Sequence, residues 1–101
     1  MKPPFLAFAA LAACLASSLP AAAQPRGALI ASCAACHGED GIARDSEVPH
    51  IAGQNERYML NQMAAFRSGR RPHPEMRYMA RELNPQDISD IIRYYAELPP
   101  R

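Results

Sequence analysis

The chain has 101 residues, of which 11 are lysine or arginine and 10 are aspartate or glutamate, so its formal net charge is only +1. A nucleic-acid-binding domain carries a clear basic excess, and this composition excludes that class of protein. The length predicts one small domain. A domain of this size buries little apolar surface and usually needs a disulfide, a metal or another covalent element to stabilise it.

The amino-terminal segment has the pattern of an export signal. Lys2 provides a short positive region, an apolar run extends from Phe5 to Leu19, and "AAAQ" provides a cleavage site of small residues. We predict cleavage after Ala23, which gives a signal peptide over residues 1–23 and a mature domain over residues 24–101. The apolar run is shorter than the ~20 residues of a transmembrane helix. We therefore expect a periplasmic protein with no membrane span after cleavage.

The signal segment also allows a second interpretation. The stretch "LAAC", Leu11 to Cys14, fits a lipoprotein box, in which cleavage before Cys14 leaves this cysteine as a lipidated amino terminus. With cleavage after Ala23, Cys14 is removed with the signal. The mature chain then keeps two cysteines, Cys33 and Cys36, in an oxidising compartment.

The first two predicted helices flank a long loop. The first helix runs from about Arg26 to Ala35 and leads into "CAACH". Glycines and prolines interrupt the residues that follow, which predicts a loop. The second helix runs from about Asn55 to Arg67, because its apolar residues repeat with the period of a helix and Gly69 stands at the C-cap position. The apolar residues expected in the core are Met59, Leu60, Met63 and Phe66.

The third predicted helix begins after Asn84. Asn84 can cap it, Pro85 suits its first turn, and Asp87 favours the positive end of the helix dipole. Between the second and third helices, Pro72 and Pro74 predict an irregular segment. No segment alternates as a strand does, so we predict an all-α domain with three main helices and long loops.

The stretch "CAACH", Cys33 to His37, allows three kinds of chemistry. A structural zinc site needs four protein ligands, and the remaining histidines, His50 and His73, are isolated from each other in the sequence. A catalytic dithiol stands at the amino terminus of a helix in a strand–helix–strand unit, whereas this motif closes a helix. Cys-x-x-Cys-His is the attachment motif of c-type haem, in which both thiols bond to vinyl groups and the histidine binds iron. The haem interpretation uses every residue of the motif and is favoured.

A sulfur ligand on the other side of the iron is a further expectation. A thioether favours ferrous iron and raises the reduction potential relative to two histidines. The residues before the last helix offer two such side chains, Met76 and Met79. On this reasoning alone, both are candidates.

From Ser32 to its end, the chain resembles the class I cytochromes c. The resemblance is carried by "CAACHGEDG", "VPHIAGQNERYMLNQMAAFRSGRRPHPEM" and "MARELNPQDISDIIRYYAEL". It is most similar to the bacterial periplasmic group that contains two-haem respiratory cytochromes and the cytochrome subunit of flavocytochrome c sulfide dehydrogenases. Two-haem relatives repeat the domain, whereas this chain carries one copy. Its first helix is also shorter than is usual, which leaves Gly27 and Leu29 to meet Tyr94 or Tyr95 of the last helix.

The resemblance implies the class I cytochrome c fold wrapped around one covalent haem c. Cys33 and Cys36 would bond to the haem, His37 would be the proximal iron ligand, and Met76 the distal one. The distal methionine of this group typically precedes an A-x-x-L-[ST] stretch, and the alanine, leucine and asparagine that follow Met76 match that spacing. Met79 is then expected to be a core residue near the ring.

Further roles are expected for residues around the haem. The resemblance implies that the carbonyl of Pro49 accepts a hydrogen bond from the ring of His37 and so orients it. His50 and His73 are expected at the surface without a ligand role. Four residues either serve a haem propionate or form a solvated polar face: Tyr58, Gln62, Arg70 and Arg71.

The resemblance implies an exported electron carrier that is not an enzyme, because both axial iron positions are filled. Its partners would be redox proteins, namely a dehydrogenase or quinol-oxidising complex and a terminal oxidase or reductase. One alternative is the haem-carrying subunit of a periplasmic dehydrogenase that oxidises sulfide or alcohol, and another is a ligand-binding cytochrome with an open sixth site. Five arginines are expected to favour an acidic docking partner if they surround the haem edge: Arg67, Arg70, Arg71, Arg77 and Arg81.

Overall fold

The computed structural model describes residues 1–4 and 26–101, and within these residues the chain is all-α. The helices are α1 (Arg26–His37), α2 (Glu56–Ser68), α3 (Pro74–Glu82) and α4 (Pro85–Ala96). The predicted all-α class is confirmed. Both predicted signal features, cleavage after Ala23 and lipidation at Cys14, lie outside the described residues. Among the residues that are described, no helix combines the length and apolar character needed to cross a membrane.

Helix α3 occupies a segment that we expected to be irregular, and that expectation is wrong. Pro74 is the first residue of the helix, where its missing N–H costs no hydrogen bond. His73 caps the helix, because its Nδ1 accepts a hydrogen bond from the backbone N–H of Met76 at 3.3 Å. Histidine is not among the common N-cap residues, which hides this helix start from sequence inspection. Met76 consequently lies on a helix and not in a loop.

Helix α2 ends at the predicted C-cap Gly69 and α4 begins after the predicted N-cap Asn84, while Asn55, expected as the first residue of α2, is its N-cap. The side chain of Asn55 accepts a hydrogen bond from the backbone N–H of Tyr58 at 2.8 Å, and Gly69 ends α2 in the left-handed conformation with φ +84°. The side chain of Asn84 accepts one from the N–H of Asp87 at 2.8 Å. These local bonds satisfy N–H groups that have no partner inside the helix.

The core lies where α4 packs against α1 and α2, and α3 packs against α2. Tyr95 is its most buried large side chain, with 1% of its surface exposed. Helix α3 contributes Ala80, which has no exposed surface. The core cluster consists of Ile30, Met59, Ile88, Ile91, Ile92 and Tyr95.

The contact between α1 and α4 differs from the expected one at one residue. Leu29 packs against the core cluster, as expected. Gly27 is exposed, and a side chain at its Cα would meet nothing within 4 Å. Ile30, which is 6% exposed, provides the buried contact from α1 instead.

Candidate haem site

The carboxyl-terminal end of α1 presents the three chemical groups of the motif on one face. Cys33, Cys36 and His37 stand at positions i, i+3 and i+4 of this helix, and residues with that spacing are neighbours on a helix surface. Gly38 ends the helix directly after His37, with φ +82°, and its N–H donates to the carbonyl of Ala34 at 2.9 Å. The two thiols and the imidazole therefore lie together at the end of a rigid element.

The thiols do not have the properties of a redox catalyst. No disulfide joins Cys33, which is half-buried, to Cys36, which is exposed. Burial raises the pKa of the Cys33 thiol, and the charge of Cys36 raises it further, against the lowering effect of a hydrogen bond with Ser32. A dithiol catalyst needs a lowered thiol pKa, commonly at the amino terminus of a helix. Here the motif stands at the opposite end of its helix.

The other histidines are engaged elsewhere. Nδ1 of His50 accepts a hydrogen bond from the backbone N–H of Ala43 at 2.9 Å, and Nδ1 of His73 caps α3. The same atom of His73 lies 3.4 Å from the carboxylate of Glu75, but as an acceptor it has no proton to donate there. Across the described residues, no group of three or more His, Cys, Asp or Glu side chains could hold a metal ion. A zinc site at the motif has no support from this part of the chain.

The imidazole of His37 is oriented by the carbonyl of Pro49. Nδ1 of His37 lies 3.0 Å from that oxygen. Because a carbonyl oxygen only accepts hydrogen bonds, Nδ1 carries the proton and Nε2 keeps its lone pair. This is the tautomer in which an imidazole binds a metal through Nε2 while its other nitrogen is held by an acceptor. The expected contact between His37 and Pro49 is confirmed.

A loop over residues 38–54, which we call the proximal loop, brings Pro49 to His37. The carbonyl of Gly41 closes the loop by accepting hydrogen bonds from the N–H groups of Ile51 at 2.9 Å and Ala52 at 3.1 Å. Gly41 has φ +72°, and a Cβ there would lie 2.7 Å from the backbone nitrogen of Ala52. Only glycine permits the backbone at residue 41 to lie this close to the backbone of Ala52.

Two tyrosines of α4 hold the start of the proximal loop. The hydroxyl of Tyr95 donates to the carbonyl of Gly38 at 2.9 Å, and the hydroxyl of Tyr94 donates to the carbonyl of Glu39. Burial raises the pKa of the Tyr95 phenol, which therefore stays protonated and able to donate. In the reverse direction, the N–H of Gly53 donates to the carbonyl of Tyr95 at 2.9 Å. Sequence reasoning missed these bonds because the tyrosines are remote in sequence from the motif.

A carboxylate stabilises the turn that follows the motif. Oδ1 of Asp40 accepts a hydrogen bond from the N–H of Ile42 at 3.1 Å, and this bond lowers the pKa of Asp40. The positive charges of Arg101 and Arg44 act in the same direction. The stability that ionised Asp40 contributes is therefore present when the pH is above the ordinary aspartate pKa. It is lost as the pH falls through the lowered pKa of Asp40.

The two candidate distal ligands share one face of α3. Met76 and Met79 are both half-buried and lie on the side of the helix that carries the buried Ala80. The opposite side carries Arg77 and Tyr78, both exposed. The fold thus turns both thioethers inward, and the preference for Met76 rests on the spacing of the motif. Met59 and Met63 are in the core as expected, since Met59 is buried and Met63 packs against the core cluster.

Two of the residues considered for a propionate bind each other. The guanidinium of Arg71 donates to Oε1 of Gln62 at 2.7 Å and lies over the ring of Phe66, 4.6 Å from its centre. Tyr58 is 48% exposed, and Arg70 is exposed as well. Arg71 therefore has a structural role at the end of α2.

The residues present fit a covalently bound haem c. Two thiols that are not joined to each other and one correctly protonated imidazole share the face of α1. A cleft of about 590 Å³ opens beside Cys36, and its lining includes the apolar residues Ala34, Ile42 and Val48. Cys36 is the one residue of the motif in this lining, which also contains the charged Arg44 and Asp45 and neither Met76 nor Met79, so the fit to haem rests on the thiols and the imidazole and not on this cleft.

A small all-α domain with a Cys-x-x-Cys-His motif and an oriented histidine defines a c-type cytochrome domain. The chain belongs to the cytochrome c family, whose profile matches residues 26–99. Its prosthetic group is accordingly covalently bound haem c.

Three relatives illustrate the similarity. Cytochrome c4 of Pseudomonas aeruginosa is 42% identical over 76 residues, which cover 75% of this chain and 36% of the relative. The thiosulfate dehydrogenase electron acceptor of Thiomonas intermedia is 36% identical over 81 residues, with 79% of this chain and 36% of the relative covered. Cytochrome c-554(548) of Halomonas halodenitrificans is 37% identical over 70 residues, with 66% and 84% covered. The chain spans about a third of the length of the first two relatives.

Proposed function

We propose that this protein carries single electrons on a haem c that is bonded to Cys33 and Cys36 and ligated by His37 and Met76. The observation that carries the proposal is the 3.0 Å contact between Nδ1 of His37 and the carbonyl of Pro49. With Nδ1 engaged in this contact, Nε2 of His37 is available to bind iron. His37 also lies on the face of α1 that carries both thiols. When bound, the haem supplies a one-electron couple between ferric and ferrous iron.

The residues around the motif are suited to keep their positions while the charge at the iron changes. The proximal loop is fastened to itself at Gly41 and to α4 through Tyr94 and Tyr95. His37 is bonded to this loop and rigidly connected to α1. With His37 and a thioether from α3 both holding the haem iron, no site at the iron would be left for a substrate. This arrangement favours electron transfer over catalysis at the metal.

Covalent attachment is tested on the purified exported protein. We expect the red chromophore to stay with the polypeptide in guanidinium chloride, both thiols to resist alkylation, and a potentiometric titration to follow a one-electron curve. The intact mass should equal the chain from Gln24 plus one haem, whereas a lipidated start at Cys14 gives a different mass. The variant with serine in place of both Cys33 and Cys36 should lose the chromophore on denaturation. Separation of colour and chain in the unsubstituted protein would overturn the proposal.

The choice of distal ligand is tested by a matched pair of variants. Met76→Ala should abolish the weak long-wavelength absorption band that sulfur ligation gives to ferric haem, and its ferrous form should bind carbon monoxide rapidly. Met79→Ala removes a thioether from the same face of α3 and should keep the band. The reverse pattern assigns Met79 instead, and rapid carbon monoxide binding by the unsubstituted protein contradicts both.

We propose that the protein acts in the periplasm between a dehydrogenase or quinol-oxidising complex and a terminal oxidase or reductase. A relative named as the electron acceptor of thiosulfate dehydrogenase supports a partner that oxidises a small inorganic substrate. The same relative favours a second candidate, the haem-carrying subunit of a periplasmic dehydrogenase. Size-exclusion chromatography of a native extract separates the two, because a carrier elutes alone and a subunit elutes with its dehydrogenase.

A further inference from the structure

The peptide bond between Pro49 and His50 is the unit that orients the haem-binding histidine. Its carbonyl oxygen, which belongs to Pro49, accepts the Nδ1 proton of His37. A peptide group is planar, so the direction of that carbonyl is set by the position of the nitrogen and Cα of His50 as much as by Pro49. Pro49 has no N–H with which to fasten itself to the protein. On the preceding side, the N–H of Val48 donates to the carbonyl of Asp45 at 3.1 Å, so a contact at His50 is needed to fix the following side of this peptide.

The side chain of His50 provides such an anchor. Its Nδ1 lies 2.9 Å from the backbone nitrogen of Ala43, which donates the hydrogen bond. Ala43 is only 7% exposed, so water is poorly placed to take over as acceptor. The next two residues, Ile51 and Ala52, are fixed by their N–H groups on the carbonyl of Gly41.

Three successive residues, His50, Ile51 and Ala52, thus hydrogen-bond to the part of the proximal loop that contains Gly41 and Ala43. The residue of the three that adjoins Pro49 is His50. At Ile51 and Ala52 the link is backbone to backbone, while at His50 it is side chain to backbone. His50 uses Nδ1 as an acceptor and carries its proton on Nε2, the opposite tautomer to His37. An apolar residue of similar size would fill the same space but leave the buried N–H of Ala43 without its partner.

From this geometry we infer that His50 is a positioning residue for the haem: its bond to Ala43 holds the carbonyl of Pro49 on His37 and thereby lowers the reduction potential. A strong hydrogen bond to that carbonyl makes the His37 imidazole a better electron donor, which favours ferric iron. Loosening the Pro49–His50 peptide weakens the bond and favours ferrous iron. The inference rests on the proposed ligation by His37.

A pair of substitutions with nearly equal shape separates the acceptor from the bulk of the side chain. Asparagine places Oδ1 close to where Nδ1 of His50 stands, whereas leucine has the same branched shape without an acceptor. In the holoprotein, His50→Leu should raise the ratio of ferrous to ferric iron at a fixed ambient potential about threefold, which is ~28 mV at 59 mV per tenfold for one electron. His50→Asn should return the potential to that of the unsubstituted protein.

Nuclear magnetic resonance of the ferrous holoprotein supplies an independent readout. The Nδ1 proton of His37 should exchange with solvent at least several-fold faster in His50→Leu than in His50→Asn. If His50→Leu does not accumulate, the hydrogen bond is tested in the unsubstituted protein labelled with ¹⁵N. We expect a scalar coupling between the backbone nitrogen of Ala43 and Nδ1 of His50 across this bond.

Each contrary result overturns the inference. Equal potentials in the leucine variant and the unsubstituted protein mean that the carbonyl of Pro49 is held without His50. Equal shifts in both variants mean that ring bulk and not the acceptor matters. An absent coupling in the labelled protein removes the hydrogen bond itself. Failure of the proposed function has a different signature, since the haem would then separate from the denatured chain.

Discussion

Tyr95 joins the haem-attachment motif to the core through a single hydroxyl. Its ring is almost completely buried among the apolar side chains of α1, α2 and α4, and its oxygen reaches the carbonyl of Gly38, the residue after His37. Tyr94 makes the corresponding bond to the carbonyl of the exposed Glu39. The two bonds are chemically alike but differ in their access to water.

This difference predicts unequal costs for removing the two hydroxyls. Tyr95→Phe should lower the free energy of unfolding by about 1–2 kcal/mol, because the partly buried carbonyl of Gly38 loses its donor. Tyr94→Phe should cost less, since water can reach the carbonyl of Glu39. Urea denaturation of both holoprotein variants measures the two values. Equal losses would contradict the view that burial sets the cost.

Histidines show where single residues escape prediction from sequence. His37 was predictable because it belongs to a motif of adjacent residues. His50 and His73 were expected to be surface residues without a ligand role; each is exposed, yet each accepts a backbone hydrogen bond through Nδ1. An imidazole acceptor has no sequence signature, because what it binds depends on which N–H group the fold brings near.

At the scale of helices, local capping explains where the elements begin. Asn84 was predictable as a cap, since it acts on an N–H three residues later, and Asn55 caps α2 in the same way. The sequence does not predict helix α3, because its cap is a histidine and because Pro74, which indicates a helix breaker, is the first residue of the helix. The consequence is that Met76 and Met79 are presented by a helix face, with a fixed angular relation to each other.

The cap of α4 gives a prediction for this helix, which carries four buried core residues. Asn84→Ala removes the acceptor for the N–H of Asp87 and should lower the free energy of unfolding by about 1 kcal/mol. Asn84→Asp keeps an acceptor and should leave stability close to its original value. Thermal or urea unfolding of the holoprotein measures the stability of both variants. An unchanged free energy of unfolding in Asn84→Ala would show that the cap has no energetic role.

At the scale of the whole molecule, charge is unevenly distributed although the total is close to zero. The region from the carboxyl-terminal end of α2 through α3 is net basic, because two carboxylates, Glu75 and Glu82, stand against five arginines: Arg67, Arg70, Arg71, Arg77 and Arg81. Arg81 donates to the carbonyl of Arg67 at 3.3 Å. A Cβ at Gly69 would lie 3.6 Å from the guanidinium carbon of Arg77. Arg77 and Arg81 line a cleft of about 530 Å³ together with the exposed Tyr78. The proximal loop carries the opposite charge, from Glu39, Asp40, Asp45 and Glu47.

We expect this basic surface to attract negatively charged redox partners. Oxidation of the ferrous protein by ferricyanide, a small anionic oxidant, should slow as ionic strength rises. The double variant Arg77→Glu, Arg81→Glu should react more slowly at low salt and lose most of that dependence. Arg57→Glu is the matched control, because Arg57 stands at the other end of α2, ~18 Å from Gly69 at 1.5 Å per residue. Arg57→Glu changes the net charge by half as much as the double variant, so an effect half as large would point to net charge alone.

The amino-acid sequence by itself determined the covalent chemistry, the all-α class, the C-cap of α2 and the start of α4. Each of these depends on residues within about one helical turn of each other, so the order of residues is sufficient information. The tertiary structure alone decided what holds the motif in place: the carbonyl of Pro49 comes to His37 from 12 residues away, and the hydroxyl of Tyr95 comes to Gly38 from 57 residues away. Such contacts form only when α4 has packed on α1 and α2 and the proximal loop has closed on Gly41, and no local pattern encodes that outcome.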